Sequence, residues 1–337
     1  MTLPTLAKTR DVSVIIPTSL DTRLEWLKRR LNFLYQYGFQ GQTLVGVWSG
    51  HAKAEELLAF CARLSPNIRV ILQDGAIRFT ARVLALSEHV TSKYIVQIGD
   101  DDFLLPDALE KLVGVLEHDA RVVCAQGRTI SINSDLSVPL QIRQLQMWPA
   151  PETDILNRFA QYCMHPGQVF HAMFRRADFI ERYHWMDEAW ANTDNHVWYE
   201  VIGEFFALVK GRFLIVDEIF IIRGKDANNT SRIMRANAGQ FPLFLLSETF
   251  SPTYKFFEGQ VFRLFASSGL DVNAPETRST ILTGILSIIG AAAFNRRGPP
   301  PAEEVRLLEV LRQQPTHPTV DRLLRMILDS QPVAAGT

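Results

Sequence analysis

Apolar and polar positions alternate along the first third of the chain in blocks that are typical of an α/β protein. The segment VSVII (residues 12–16) is a β-branched run ending at Pro17, as in a strand buried within a parallel sheet. Residues 23–37 carry leucines at helical spacing, and Gly38 ends that predicted helix. The same pattern predicts further strands at 43–50, 68–73 and 93–99, and further helices at 51–64, 78–89 and 106–118. This alternation predicts an α/β domain with a mainly parallel sheet flanked by helices.

The pattern becomes less regular after residue 118. It predicts a strand or hairpin at 121–132, an irregular segment at 133–151, and one or two short strands at 213–223. From about residue 236 the spacing of apolar residues is helical. We therefore predict a first domain over residues 1–235 and a C-terminal helical region over residues 236–337.

The most apolar stretch of the chain is ILTGILSIIGAAAF, residues 281–294. Spanning a bilayer takes about 20 such residues, so this stretch is too short. We predict a buried helix, which would also suit a contact between copies in a homo-oligomer. The alternative is a helix on the membrane surface, because Arg296 and Arg297 follow it.

Charge and cysteine content narrow the class of partner. The net charge is −1 and the isoelectric point is about 6.7, so no sequence-wide basic field points to nucleic acid. Three cysteines without CxxC spacing predict neither a disulfide framework nor a zinc site. A cytoplasmic protein fits this composition best, with a position at the inner face of the membrane as the alternative.

Three adjacent carboxylates, Asp100, Asp101 and Asp102, follow the predicted strand at 93–99. Like charges in contact repel by about 1 kcal/mol per pair even in water, so the cluster calls for a compensating cation. Capping the next helix would need only one Asp. Because carboxylate oxygens suit Mg²⁺ or Mn²⁺, and these ions also bind phosphates, we predict a metal and phosphate site.

The predicted topology brings three loops to one edge of the sheet. Ligands of parallel sheets bind at the carboxyl ends of the strands. The loop PTSLDTR (17–23), the loop WSG (48–50) and the Asp cluster all follow such ends. Since none of them has the GxGxxG or GxxxxGKS pattern, the sequence shows neither a dinucleotide fingerprint nor a P-loop.

Two long stretches of the sequence resemble a known enzyme family. VSVIIPTSLDTRLEWLKRRL followed by KYIVQIGDDDFLLPDALEKL is similar to the nucleotide-sugar glycosyltransferases of family 2, which have the GT-A fold. In that family a Pro-Thr pair follows the first strand, a D-x-D-type motif comes about 80 residues later, and a Pro follows it. Further on, AMFRRADFIERYHWMDEAWANTD (172–194) resembles the acceptor-side segment. The resemblance covers about residues 11–225.

The resemblance implies a site for the donor nucleotide. Pro17, Thr18 and Asp21 would line the nucleotide pocket, and Asp100 would lie against the ribose or the metal. The implied donor is a nucleotide sugar, with a UDP-sugar favoured, and the implied acceptor is a saccharide or glycan. The implied role is polysaccharide biosynthesis, such as the assembly of bacterial surface polysaccharide or glycoconjugates.

The resemblance also implies a Mn²⁺ or Mg²⁺ ion at the D-x-D-type motif. Asp101 and Asp102 would hold it, together with Asp100 as a further candidate, and it would neutralise the diphosphate leaving group. Gly99 stands at the first position of the usual motif, judged by its distance from Pro106. The residues alone therefore do not decide which Asp binds the ion directly.

Asp194 ends the acceptor-side segment, where the family has its catalytic base. The resemblance implies that Asp194 deprotonates the acceptor hydroxyl, which then attacks the anomeric carbon in an inverting reaction. Asp187 and Glu188 compete with Asp194 for this role. Glu200 lies six residues further on along a predicted helix, so it falls on a different face from Asp194.

Two departures from the family pattern concern recognition of the nucleotide base and binding of the metal ion. The second strand ends in Trp48, Ser49 and Gly50, where the family usually has an Asp that reads the base. Trp48 either stacks on the base or packs in the core. The late metal-binding His of many members has no counterpart in residues 221–232, where Lys225 is the candidate for a contact with the diphosphate.

Two arginines are further candidates for the diphosphate. Arg78 and Arg82 lie four residues apart on a predicted helix, so they share one face. They either bind phosphate or a sugar carboxylate with two parallel hydrogen bonds, or form a solvated basic surface.

Two other function classes are alternatives to a glycosyltransferase. A Mg²⁺-dependent nucleotidyltransferase should have a glycine-rich phosphate loop after its first strand, and PTSLDTR contains no glycine. A non-catalytic GT-A-like binding module would account for the missing base-reading Asp and the missing late His.

Overall fold

The computed structural model of the chain describes residues 6–18, 20, 23–75, 77–133, 142–145, 148–164, 169–193, 196–225 and 250–294. Within these residues nine strands form one sheet. The strands are β1 (Val12–Pro17), β2 (Gln42–Trp48), β3 (Ile68–Gln73), β4 (Tyr94–Gln97), β5 (Asp102–Leu104), β6 (Val122–Asn133), β7 (Ile142–Leu145), β8 (Met173–Arg175) and β9 (Arg212–Lys225).

A short 3₁₀ helix (Ala7–Asp11) precedes the first strand, and α-helices alternate with the strands that follow. The helices are α1 (Leu24–Gln36), α2 (Ala54–Leu64), α3 (Phe79–Ser87), α4 (Pro106–His118), α5 (Ile155–Met164), α6 (Arg176–Thr193), α7 (His196–Lys210), α8 (Phe250–Ala266) and α9 (Pro275–Phe294). Each element predicted before residue 118 is present, with ends that differ by a few residues from the predicted ones.

The sheet has a parallel half and a mixed half. Its order is β3-β2-β1-β4-β8-β6-β9-β5, with β7 paired to β6. Strands β1 to β4 pair in parallel, whereas β8 runs antiparallel to both β4 and β6. Strands β6 and β9 are again parallel, and β5 is antiparallel to β9. The predicted α/β class with helices flanking the sheet is confirmed, although parallel pairing dominates only in the first half.

Strand β1 is buried on both faces, as its continuous apolar run predicts. Val12, Val14 and Ile16 face an apolar cluster that includes residues of α1, α2 and α4. Ile15 faces the other cluster, to which α5, α6, α7, α8 and α9 contribute. Because successive side chains of a strand point to opposite faces, one short segment ties both layers of helices to the sheet.

Three strands in the mixed half of the sheet differ from the predicted elements. The segment predicted as irregular, 133–151, contains β7, which pairs with the long strand β6. Residues 212–225 form one continuous strand, β9, instead of one or two short ones. The Asp cluster leads directly into β5, which spans three residues. These strands depend on pairing with distant segments, so the local pattern does not reveal them.

The C-terminal helices α8 and α9 pack into the same apolar cluster as α5 to α7. Ile281 and Ile285 of the apolar stretch are buried, and the close approach of Gly284 to the ring of Phe159 leaves no room for a side chain at 284. Among the described helices, none combines the length and the apolar character needed to cross a bilayer. The predicted boundary between residues 235 and 236 lies outside the described residues and stays a prediction, as does any helix after residue 294.

Candidate functional site

The carboxyl ends of β1, β2 and β4 meet at one edge of the sheet. Pro17 at the end of β1 is paired with Gly46 in β2, and the Thr18 backbone N–H donates to the Gly46 carbonyl at 3.0 Å. On the other side, the backbone N–H of Ile98 donates to the carbonyl of Ile15 at 3.1 Å. The loops after residues 17, 48 and 97 are therefore neighbours, as the predicted parallel order requires.

Asp100 is held by two side chains from the loop after β1. The Thr18 hydroxyl donates to Asp100 Oδ2 at 2.7 Å, and Arg23 Nη1 donates to Asp100 Oδ1 at 2.6 Å. Thr18 and Asp100 are both buried. Because both Asp100 oxygens accept hydrogen bonds from the protein, Asp100 ties the loop after β1 to the Asp cluster.

Arginines supply much of the positive charge that the Asp cluster requires. Arg23 Nη1 also lies 3.5 Å from Asp101 Oδ2. Burial and the charge of Asp102 raise the pKa of Asp101, while Arg23 and Arg30 lower it. Arg30 is itself buried, and desolvation lowers its pKa to about 10 against the opposing effect of the three carboxylates. The sequence alone did not indicate these arginines.

Asp102 is 2% exposed and lies between a histidine and an arginine from distant segments. His171 Nε2 is 3.6 Å from Asp102 Oδ2, and Arg223 Nε is 3.6 Å from Asp102 Oδ1. Register explains the second contact, since Asp102 of β5 is paired with Arg223 of β9. The other ring nitrogen of His171, Nδ1, is 3.1 Å from the carbonyl oxygen of Gln97. Burial, followed by the charge of Arg223, lowers the pKa of His171 to about 3, so the ring is neutral near pH 7.

Gly99 leaves space where two of the carboxylates approach each other. A Cβ at position 99 would lie 2.6 Å from Asp101 Oδ1 and 3.0 Å from Asp102 Oδ2. Among the described residues no group of three or more His, Cys, Asp or Glu side chains is arranged to hold a metal. Mg²⁺ is usually bound by one or two carboxylates together with substrate phosphates. Asp101 and Asp102 therefore fit an ion that shares its coordination with a phosphate ligand.

Arg82 lies across the ends of β1 and β2. Its Nη2 donates to the carbonyl of Thr18 at 3.0 Å and to that of Gly46 at 3.4 Å, and its Nε donates to Gln73 Oε1 at 3.4 Å. Arg82 is therefore anchored at the edge where the loops meet. The planar guanidinium suits this role, because it offers several donors in a fixed arrangement.

Arg78 points away from Arg82 toward helix α6. Its Nε and Nη2 donate to the two oxygens of Asp187 at 3.2 and 3.1 Å. The Thr80 hydroxyl also donates to Asp187 at 2.6 Å. Arg78 thus joins α3 to α6, and Asp187, a competing candidate for the catalytic base, accepts all three hydrogen bonds.

Trp48 stands at the end of β2 with half of its surface exposed, so it is not a core residue. Its indole covers Gly75, where a Cβ would come within 2.4 Å of the indole Nε1. The next residue, Ser49, is exposed, and its backbone N–H donates to the Gln73 carbonyl at 2.8 Å. Trp48 therefore presents an aromatic face at the same edge as Thr18 and Arg82.

Three residues predicted for the site cannot be placed by their side chains. Asp21 and Asp194 lie outside the described residues. Lys225 is the last residue of β9, where its backbone is opposite Asn133 of β6. The assignments of these three residues stay predictions.

Two partly buried acids, Glu200 and Glu204, lie on helix α7. Burial raises the pKa of Glu200 to about 7, although Arg223 and Arg182 lower it. Burial also raises the pKa of Glu204 to about 8, and Glu204 accepts a hydrogen bond from the hydroxyl of Tyr162. Because Arg223 interacts with both Asp102 and Glu200, these acids are connected electrostatically to the Asp cluster.

Comparison with known protein families gives one match. The family described as glycosyl transferase family 2 matches residues 13–183, half of the chain. This range includes β1, the Asp cluster and the start of α6. Among curated proteins none matches the sequence closely enough to count as a relative.

Several solved structures are similar to the chain. One is S. aureus TarS 1–349 in complex with UDP-GlcNAc, with 13% identity, a TM-score of 0.48, and 84% of this chain and 81% of that chain covered. Another is S. aureus TarS 1–349 alone, with 13% identity, a TM-score of 0.45, and 84% and 80% covered.

Proposed function

The chain belongs to glycosyl transferase family 2, and from this premise we propose that it transfers a sugar from a nucleotide-sugar donor to a saccharide or glycan acceptor. A UDP-sugar is the favoured donor, and polysaccharide biosynthesis is the favoured setting. The contacts at the ends of β1, β2 and β4 support the donor class.

One observation carries the proposal: four different segments bring Thr18, Trp48, Arg82 and Asp100 to a single edge of the sheet. Thr18 is hydrogen-bonded to Asp100 at 2.7 Å, and Arg82 donates to the Thr18 carbonyl at 3.0 Å. Trp48, at the end of the adjacent strand β2, is half exposed. A nucleotide base would stack on an aromatic face, and a phosphate would bind a fixed guanidinium. A metal ion or the ribose would contact the carboxylates.

In the proposed donor complex, Trp48 stacks on the base and Ser49 lies beside it. Pro17, Thr18 and Asp21 line the nucleotide pocket. Stacking is tolerant of base identity, because every base has a π face. Recognition by Trp48 in place of the family's Asp would therefore select less strictly among bases.

The diphosphate would lie between Arg82 and the Asp cluster, with Lys225 as a further contact. Asp101 and Asp102 would hold a Mn²⁺ or Mg²⁺ ion, which supplies positive charge to the leaving group when bound. Asp100, whose oxygens accept from Thr18 and Arg23, would orient the loop after β1 beside the ribose.

We propose Asp194 as the general base of an inverting reaction. Its position follows α6, at the end of the acceptor-side segment. Its carboxylate would remove the proton from the acceptor hydroxyl while that oxygen attacks the anomeric carbon. Contacts of the C-terminal helices with a second copy, or with the inner face of the membrane, remain sequence-based predictions.

A screen of nucleotide sugars by thermal shift, with and without Mn²⁺, tests this function. We expect one donor, most strongly a UDP-sugar, to raise the melting temperature, and the purified protein to hydrolyse it slowly or transfer its sugar. Asp101→Asn should lower donor hydrolysis, whereas Asp271→Asn, an exposed residue after α8, should not. Stabilisation without hydrolysis or transfer would favour a non-catalytic binding module, and no stabilisation by any donor would contradict the proposal.

A further inference from the structure

We propose that His171 gives an imidazole nitrogen to the divalent ion at the Asp cluster. The inference rests on the proposed function, because the ion is shared with the diphosphate of the donor. The loop before β8 would thus supply the nitrogen ligand that residues 221–232 lack.

The fold fixes the orientation of the His171 ring. Its Nδ1 is 3.1 Å from the carbonyl oxygen of Gln97, at the end of β4, and both residues are buried. A carbonyl oxygen can only accept, so Nδ1 carries the proton. Nε2 is therefore the ring nitrogen that is turned toward the Asp cluster. A backbone carbonyl on the second nitrogen is the usual partner of a metal-binding histidine.

Nε2 of His171 points at the Asp cluster without a hydrogen bond to it. It lies 3.6 Å from Asp102 Oδ2, which is too long for a hydrogen bond. Nε2 and Oδ2 face each other across this gap. A cation between them would contact both atoms, since imidazole nitrogen and carboxylate oxygen are both metal ligands.

The separation matches the dimensions of a coordinated ion. Two ligands that each lie about 2.1 Å from an ion are about 3.0 Å apart at a right angle and about 3.6 Å apart at 120°. The distance between Nε2 and Asp102 Oδ2 therefore needs little adjustment. The three side chains proposed as ligands, Asp101, Asp102 and His171, are not arranged as a metal-binding group in the described residues, so donor phosphate oxygens and water would complete the coordination around the pair formed by His171 and Asp102.

The positions of Gly99 and Arg223 also favour an ion between His171 Nε2 and Asp102 Oδ2. Of the two oxygens of Asp102, Oδ2 is the one beside Gly99, which has no side chain to fill the space. Arg223 lies on the opposite oxygen, with its Nε 3.6 Å from Asp102 Oδ1. The guanidinium charge therefore lies on one side of the carboxylate, and Oδ2, on the other side, is directed toward Gly99 and His171.

A nitrogen ligand affects the choice of metal. All-oxygen sites suit Mg²⁺, whereas imidazole favours transition metals. With His171 as a ligand, we expect Mn²⁺ to bind more tightly than Mg²⁺, and His171→Gln to reduce this preference by about tenfold, which corresponds to about 1.4 kcal/mol.

Pulsed electron paramagnetic resonance of Mn²⁺ tests the proposal without measuring activity. The full chain, free of any histidine tag, is mixed with Mn²⁺ and UDP, and the spectrum is searched for coupling to ¹⁴N of a bound imidazole. We expect this coupling in the wild type and its replacement by ¹⁵N coupling after labelling with ¹⁵N-histidine. It should persist in His184→Gln, since His184 is exposed on α6, and vanish in His171→Gln.

The wild-type spectrum decides the question even if His171→Gln does not fold. Bound Mn²⁺ without imidazole coupling, or coupling that persists in a folded His171→Gln protein, would overturn the proposal. Failure of Mn²⁺ to bind in the presence of UDP would also overturn it. The proposed function would survive these results if a UDP-sugar still bound and its sugar were transferred in EDTA.

Discussion

The Thr18 hydroxyl donates a hydrogen bond of 2.7 Å to the carboxylate of Asp100, which follows it by 82 residues. The same carboxylate accepts a hydrogen bond from Arg23 at 2.6 Å. One acid of the Asp cluster thus fixes the loop after β1, and that loop in turn supplies a carbonyl acceptor for Arg82. The geometry of the proposed donor site depends on this connection.

We expect Thr18→Val to weaken donor binding, because it removes the hydroxyl and leaves a buried Asp100 oxygen without that donor. The free energy of unfolding should fall by about 1–3 kcal/mol, as for a buried polar group that loses its partner. Thr18→Ser keeps the hydroxyl and is the matched control. Urea unfolding and donor titration by calorimetry measure both effects. Equal donor affinity in the valine and serine variants would show that the connection is not needed for binding.

Trp48 should report donor binding directly. We expect UDP to quench tryptophan fluorescence in the wild type, and Trp48→Ala to abolish most of the quenching and lower the affinity by about 1–3 kcal/mol, the range for stacking of a base on an aromatic ring. Trp48→Phe should retain most of the affinity. Full quenching in Trp48→Ala would place the base elsewhere.

Gly75→Ala offers a second test of the same contact without altering Trp48. The new methyl group would come within 2.4 Å of the indole, so the ring must shift. We expect weaker donor binding than in the wild type. Gly259→Ala, at a position with open space, is the control and should bind the donor normally.

The two arginines of the predicted basic face should behave differently. Arg82 donates to two backbone carbonyls at the crevice, whereas Arg78 pairs with Asp187. Lysine cannot reproduce a planar guanidinium. We expect Arg82→Lys to reduce donor affinity about tenfold, about 1.4 kcal/mol. Arg78→Lys should leave donor affinity unchanged, and calorimetry with a UDP-sugar measures both. A larger loss in Arg78→Lys would reverse the assignment.

The catalytic base can be tested by a matched pair of substitutions. We expect Asp194→Asn to lower the rate of transfer by about 10²–10⁴, the usual range for general base catalysis, with donor affinity unchanged. Asp187→Asn should retain transfer, because Asp187 accepts hydrogen bonds from Arg78 and Thr80. Single-turnover assays with an identified acceptor measure the rates. Loss of transfer in Asp187→Asn alone would move the role to Asp187.

The raised pKa of Glu204 predicts that the free energy of unfolding depends on pH. Burial raises its pKa from 4.5 to about 8, so between these values the folded state keeps a proton that the unfolded state loses. The free energy of unfolding should therefore fall as pH rises from about 4.5 to 8. We expect the free energy of unfolding of Glu204→Gln to exceed that of the wild type by about 4–5 kcal/mol at pH 8.5, at about 1.4 kcal/mol per pH unit, and by less than about 1 kcal/mol near pH 5. Chemical unfolding at both pH values measures this, and an equal difference at both would contradict it.

The sequence by itself determined the first half of the fold. Apart from the three-residue strand β5, each strand and α-helix up to residue 118 has a local pattern of apolar residues, because buried strands and amphipathic helices have periods that a short window reveals. Parallel order then places the ends of β1, β2 and β4 together. From this, the loop with Thr18, the loop after Trp48 and the Asp cluster could be assigned to one edge of the sheet, whereas the position of Arg82 at that edge came from the structure.

Only the tertiary structure decided what surrounds the Asp cluster. Asp102 meets Arg223 because β5 pairs with β9, and it meets His171 because β8 lies beside β4. Charge compensation acts through space between residues far apart in the chain, so no local window contains it. The sequence therefore identified the acids, whereas the pairing of distant strands selected the histidine and the arginine that face them.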